Sequence, residues 1–299
     1  MLLFAIALLA GCVARLAYYN AEGYVVREAA RYVELDAAQR TQLREIVRDA
    51  LAWKGTTRSA EYAGLLRELG EDLGRLDRYG WERYLLQGGE YLEELGAQFA
   101  PRLATLLQSL DELQREAFFA ELESRNVELA EERADIDDPA LERAEQLERQ
   151  LRRWLGRLTA EQQALLAQRA STFETTGDLW LAQRRRWQQA LREALTQDGP
   201  EACGAVVALL LEPQALWPED YAGVIERNRE RSLVLLGELS ATLTDTQWQR
   251  AGRRLERYAG TLEGIGELAA RDWRRSCGEL PCPPPPPRAC PAEAVVSSR

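Results

Sequence analysis

The sequence of 299 residues contains no histidine, one methionine, five phenylalanines and a single lysine, Lys54, among 38 basic side chains. Without histidine there is no Ser-His or Cys-His nucleophile pair, no His-ligated zinc, and no side chain that titrates near neutrality in its unperturbed state. Lys54 sits in the turn-like run Lys54-Gly55-Thr56, a poor setting for a Schiff base. Positive charge is also scarce: 48 acidic side chains leave a formal net charge of -10 and a pI near 4.9, which argues against nucleic acid as a partner, since phosphate binding needs a basic surface. There is no Gly-rich phosphate loop, no Gly-x-Ser-x-Gly elbow and no EF-hand spacing. The acidic run Glu131, Glu132, Asp135, Asp137 and Asp138 has no spacing that picks out a catalytic pair. The composition therefore reads as a non-enzyme with no cofactor, a carboxylate hydrolase being the least favoured alternative.

The N-terminus is apolar from Met1 to Ala10 and carries its first charge at Arg15. That run has the length of a signal-peptide core and is short of the roughly 20 residues of a spanning helix. Leu9-Ala10-Gly11-Cys12 resembles the lipobox of bacterial lipoproteins. The resemblance implies a signal peptide over residues 1–11 and a lipid on Cys12, whose acyl chains anchor the body to a membrane. The competing reading is a buried helix in which Cys12 is a small hydrophobe. Val13 follows where an aspartate would imply inner-membrane retention, so the expected address is the periplasmic face of the outer membrane. The remaining Cys203, Cys277, Cys282 and Cys290 are an even set in an oxidising compartment, with three possible pairings. A metal reading is weak because Cys-x2-Cys knuckles are absent.

From Leu16 to about Cys277 apolar residues recur every three or four positions, and no stretch alternates as a half-buried strand does. Trp248, Ala251, Leu255, Tyr258, Leu262, Ile265 and Ala269 are the clearest series, and Ala140, Ala144, Leu147, Leu151, Trp154 and Leu158 form another. These patterns predict an all-α bundle of about nine amphipathic helices. Breaks are expected at Gly88-Gly89, Pro101, Asp137-Asp138-Pro139, Gly199-Pro200 and Pro213 to Pro218.

Four segments share one pattern: Leu35-Asp36-Ala37-Ala38-Gln39, Leu110-Asp111-Glu112-Leu113-Gln114, Leu158-Thr159-Ala160-Glu161-Gln162 and Leu243-Thr244-Asp245-Thr246-Gln247. Asp or Thr at the N-cap accepts from the N3 amide while Gln at N3 reaches back to the N-cap amide, the reciprocal capping box. Asp36 to Thr159 is 123 positions and Asp111 to Thr244 is 133; Leu65 to Leu69 matches Ala190 to Ala194 at 125. The chain is thus expected to comprise two helical halves of similar design, residues 12–135 and 139–277, followed by a Pro-rich tail at 278–299. The tail's run Pro283 to Pro287 reads as polyproline II, a spacer or docking peptide, or as a disordered end.

The run Arg15 to Ala21, Tyr32-Val33 leading into the first box, and Leu51-Ala52-Trp53 resemble a family of uncharacterised Gram-negative lipoproteins defined as a domain of unknown function. Members often carry His after that tryptophan; here the position is Lys54. The four boxes also resemble the LTxxQ motif of small periplasmic stress chaperones, all-helical proteins with two motifs per subunit that dimerise into a cradle. Only Thr159 and Thr244 supply the Thr itself, and four motifs on one chain imply a covalent pseudo-dimer.

Arg250, Arg253, Arg254 and Arg257 fall on one side of the last helix, beside its apolar stripe. They are either a solvated face or a surface for lipid phosphates or another anionic partner. The expected function is a protein-binding or chaperone-like scaffold tethered to the outer membrane, with a periplasmic client or partner. The alternative is a structural or assembly factor that serves one envelope partner.

Overall fold

The computed structural model describes residues 11–197 and 199–277; the side chains of 11–19, 51–57, 95, 200 and 269–277 are not among those described. Cys12, Cys277, Cys282, Cys290, the signal segment and the Pro-rich tail therefore fall outside the described side chains.

The described residues form an all-α structure with no strand. The helices are α1 (Gly11–Ala29), α2 (Ala37–Thr57), α3 (Ser59–Asp72), α4 (Arg78–Gln108), α5 (Glu112–Ala134), α6 (Pro139–Leu155), α7 (Ala160–Ala170), α8 (Gly177–Leu195), α9 (Pro200–Leu211), α10 (Glu219–Ala241) and α11 (Asp245–Cys277), with one 3-10 turn at Pro213–Leu216. Among the described residues eleven helices replace the nine expected. Three of the expected breaks are real starts. Asp138 caps α6 with Pro139 in its first turn; Gly199, at φ +98°, lets the chain enter α9 at Pro200; Pro213 opens the 3-10 turn. This is where proline costs nothing, because the first amides of a helix lack an intrahelical partner anyway.

Gly88-Gly89 and Pro101 are not breaks: α4 runs through all three. A proline inside a helix costs about 3 kcal/mol and each glycine up to about 1 kcal/mol. The cost is outweighed because α4 packs on α2, α9 and α10, and tertiary burial rather than propensity fixes most helices. Conversely, the long periodic stretch from 37 to 72 is split at Arg58 (φ -139°, ψ 7°), a break that no proline or glycine marks.

The turn at 135–138 separates α5 from α6 in sequence but does not divide the molecule in space. The last helix, α11, lies along α3 and α2, while α5 lies on α8. Three apolar clusters result. One joins α4, α5, α8 and α9 around Ala104, Phe119, Leu191 and Val206. A second joins Leu73, Leu158, Leu166, Leu235 and Leu255 from five segments. The third gathers Val33, Leu35, Leu43, Ile46, Leu106 and Leu110 beside the first box.

At the α4–α10 crossing a glycine is required. A Cβ at Gly237 would lie 2.9 Å from the Arg78 backbone nitrogen and 3.2 Å from the Asp77 carbonyl carbon, atoms held by the first turn of α4. Gly88, by contrast, has open space around it. Gly237→Ala is expected to lower unfolding stability by about 1–3 kcal/mol through overpacking. Gly88→Ala should raise it by about 0.5–1 kcal/mol, because alanine loses less backbone entropy on folding. Urea denaturation of the two variants checks both signs.

Candidate functional site

All four boxes form reciprocal caps. Asp36, Asp111 and Thr159 each accept from the N3 amide while Gln39, Gln114 and Gln162 accept from the N-cap amide. Thr244 and Gln247 do the same at 3.3 and 3.1 Å. Caps account for only half of what these glutamines do. Gln39 Nε2 donates to Gln114 Oε1 at 2.9 Å and Gln114 Nε2 donates back to Gln39 Oε1 at 2.8 Å. Gln162 and Gln247 are clasped in the same way, at 2.8 and 2.9 Å. Each glutamine spends its second N–H on a backbone carbonyl two residues before the opposite cap: Gln39 on Ser109, Gln114 on Glu34, Gln162 on Thr242 and Gln247 on Arg157.

Every donor and both acceptor positions of all four amides are thereby used. Two of the carbonyls served, those of Ser109 and Thr242, belong to the C-caps of α4 and α10, where the last four carbonyls have no intrahelical partner; those of Glu34 and Arg157 lie in the connections that lead into the opposite boxes. Each side chain thus caps the start of its own helix and ties down the chain just before the opposite box, at a crossing where Gln39, Gln162 and Gln247 are buried. Glutamate at N3 would complete a cap but offers no donor, so the clasp demands glutamine where a capping box alone would accept either. The leucine before each cap enters the apolar clusters, with Leu35, Leu110 and Leu158 buried and Leu243 packed against its cluster.

The clasps belong to a larger repeat. Four residues after the second cap, Arg115 Nη1 donates to the Leu195 carbonyl (2.6 Å), and at the equivalent place Trp248 Nε1 donates to the Gly70 carbonyl (2.9 Å). The donors are 133 positions apart and the acceptors 125, the offsets that relate the boxes and the α3 and α8 segments in sequence. Helix partners repeat too: α1 on α2 matches α6 on α7, α2 on α4 matches α7 on α10, and α11 on α3 matches α5 on α8. The last match crosses between halves. The extra helix α9 and the 3-10 turn are inserted in the second half only.

Sequence reading missed a second polar tie. Asn126, fully buried, donates to Glu123 (2.8 Å) and Gln188 (2.7 Å) and accepts from Arg184 (2.7 Å); Arg185 pairs with Glu123 at 2.6 Å. These bonds join α5 to α8. Hydrogen bonding to Arg185 and Asn126 holds the Glu123 carboxyl below the usual carboxylate range. A third tie fixes the 171–176 connection to α10: Arg227 and Arg231 pair with Glu174 at 2.7 and 2.8 Å, and Asn228 brackets the Glu174 backbone at 2.9 Å on both sides.

A cleft of about 440 Å³ lies between the α3–α4 connection and α10. Gly74, Leu76, Val234, Gly237 and Ala241 form its apolar floor; Arg75, Asp77, Arg78 and Glu238 form a rim of both signs. Arg78 Nη2 reaches Glu230 at 2.7 Å, while its Nε is buried without a hydrogen-bond partner. Exposed Tyr79, Leu86 and Leu92 follow along α4.

Other sequence candidates take different places. Arg254 is not part of a free basic face: its guanidinium lies 4.8 Å from the Trp154 ring, donates to Tyr258 at 3.0 Å and reaches the Arg153 carbonyl. Arg250, Arg253 and Arg257 are exposed. Cys203 is buried among the α4–α5–α8–α9 cluster and is disulfide-bonded, its partner lying outside the described side chains. Among the described residues no group of His, Cys, Asp and Glu is spaced to hold a metal ion, and no helix is long and apolar enough to cross a membrane.

These features define a helical protein whose ordered polar groups serve helix junctions. The chain belongs to a family of unknown function (DUF6279), whose model matches residues 31–222. No curated protein and no solved structure matches.

Two outcomes follow from the polar ties. Gln162→Glu is expected to cost about 3 kcal/mol or more at pH 7, because a buried carboxylate would face Gln247 Oε1 and the Thr242 carbonyl without a donor. Thr159→Asp, which keeps the cap, should change stability by less than about 1 kcal/mol; denaturant unfolding separates the two. The Glu174 carboxyl is held down to about 2, chiefly by its hydrogen bond to Arg227. A depressed folded pKa gives stability that is present above the ordinary value near 4.5 and lost as pH falls towards 2. The amide protection factors of residues 171–176, taken relative to the intrinsic exchange rate at each pH, should therefore fall across that window, and Glu174→Gln should remove that pH-dependent fall.

Proposed function

We propose that this chain is a lipid-anchored protein of the outer membrane, facing the periplasm, whose helical body binds other proteins in the manner of a chaperone. The observation that carries this reading is the apolar-floored, charge-rimmed cleft between the α3–α4 connection and α10, continued by exposed Tyr79 and Leu86. An apolar floor with a mixed polar rim suits an apolar side chain of a client together with its backbone and neighbouring charges. The cleft is shallow, so it fits transient contact with segments of many clients better than enclosure of a small ligand. The two clasps support the same reading. Each pairs two Leu-x-x-x-Gln boxes, as the resemblance to LTxxQ chaperones would have it for one subunit, and the repeated, interleaved helix partners support reading the chain as a pseudo-dimer.

The anchor rests on Leu9-Ala10-Gly11-Cys12. Labelled palmitate should enter the protein in cells and be lost on Cys12→Ala. For binding, the purified chain should suppress aggregation of an unfolding client at about stoichiometric ratio. Ala241→Trp, which fills the cleft from its exposed edge, should reduce that protection severalfold without lowering stability. No protection by the wild-type chain would remove the chaperone reading in favour of an assembly factor for one envelope partner.

A further inference from the structure

Most arginines of the described body are committed. Arg67 is bound by Glu256 and Glu263, Arg185 by Glu123, Arg229 by Glu82, and Arg169 by Glu238. One area departs from this pattern. The C-terminal end of α6 abuts the first turns of α11: Arg254 reaches the Arg153 carbonyl, Gln247 donates to the Arg157 carbonyl at 3.0 Å, and a Cβ built on Gly156 would lie 3.3 Å from Arg250 Nη1. The junction brings Arg153 and Arg157 alongside Arg250, Arg253 and Arg257. All five side chains are exposed, and among the described residues none of their guanidiniums has a carboxylate or hydrogen-bond partner. The nearby acids are engaged elsewhere, Glu256 on Arg67 and Glu148 on Arg152. Asp245, in the first turn of α11, lies about 140° round the helix from Arg250, at 100° per residue.

We propose that this five-arginine face binds the phosphate layer of an anionic membrane and so lays the anchored body down along α11; the proposal rests on the reading of the chain as a lipid-anchored protein. Three observations point to a lipid surface. The five side chains are exposed and none of them lines the cleft, so the face suits an extended array of phosphates better than one enclosed small anion. Guanidinium forks match phosphate oxygens in bidentate geometry. Helix α1, which contains Cys12, packs on the same α11, so anchor and patch are two contacts along one rod, and paired signals are what make peripheral attachment stable. The body's net charge of -10 does not oppose this, since charges beyond about 8 Å are screened at physiological salt. The arrangement also has a direction. Trp248 is two residues from Arg250, about 200° round the helix. It packs on Gly74, where a Cβ would stand 3.4 Å from its ring, and Gly74 lines the cleft. With the arginine face on the bilayer, the cleft side of α11 is turned away from it.

The test uses the full chain carrying Cys12→Ser, so that the result does not depend on lipidation, which palmitate labelling of the wild type tests separately. Its co-sedimentation is compared on vesicles of phosphatidylethanolamine and phosphatidylglycerol (3:1) and on pure phosphatidylcholine, which reports any contribution of the apolar N-terminus. The expected result is at least about tenfold stronger binding to the anionic vesicles, falling as salt rises. The triple change Arg250→Glu, Arg253→Glu, Arg257→Glu should abolish that preference with the helical circular dichroism unchanged. The charge-matched triple Arg27→Glu, Arg44→Glu, Arg186→Glu should keep it. Should the first triple misfold, Arg250→Gln, Arg253→Gln, Arg257→Gln reads the same loss. Equal binding to both vesicle types, or a preference that survives the loss of these arginines, would overturn the proposal. So would capture of polyglutamate, but not anionic vesicles, by the same face, which would make the partner an acidic protein.

Discussion

A helix leaves four amides without partners at its start and four carbonyls without partners at its end, and a bundle of short helices multiplies that liability. In this protein the problem is met at two crossings by one device, a pair of glutamines that clasp each other, cap two helix starts and serve one helix C-cap and one connecting carbonyl. Gln39 with Gln114, and Gln162 with Gln247, use every hydrogen-bonding position they have. The clasps fix which helix starts meet, and the leucine before each cap then has a defined cluster to enter. The rest of the packing, including the placement of α11 along α3, builds on those junctions.

The repeat of this unit gives the molecule its plan. Equivalent side chains at Arg115 and Trp248 reach equivalent carbonyls at Leu195 and Gly70 across the two halves. Two of the three apolar clusters draw residues from both halves, so the halves share packing rather than standing apart. The sequence has no histidine; the hydrogen bond from Arg227 holds the Glu174 carboxyl well below neutrality and burial pushes the Tyr84 hydroxyl well above it, so neither of these groups changes charge across the neutral range.

Much of this was legible in the sequence because it is local. The 3.6-residue periodicity gave helices, and the Asp or Thr followed three residues later by Gln gave four helix starts. The proline-marked entries at Pro139 and Pro200 were visible for the same reason. What stayed hidden is non-local. A capping box says nothing about the donors that its glutamine has left over, so the clasp could be read only from the crossing of helices 75 or 85 residues apart. Gly88-Gly89 and Pro101 looked like breaks because propensity ignores the neighbours against which α4 packs as one continuous helix. Arg254 looked like part of an open basic face because its aromatic and carbonyl partners come from α6 and from its own next turn, whereas Arg153 and Arg157, distant in sequence, join that face.

The central claim is that the glutamine pairs act as units. A double-mutant cycle on Gln162→Leu and Gln247→Leu, read by denaturant unfolding, tests it most directly. The account predicts that each single change is strongly destabilising, because it orphans its partner amide, and that the pair shows a coupling of about 1–3 kcal/mol. Additive single effects, with coupling indistinguishable from zero, would contradict it.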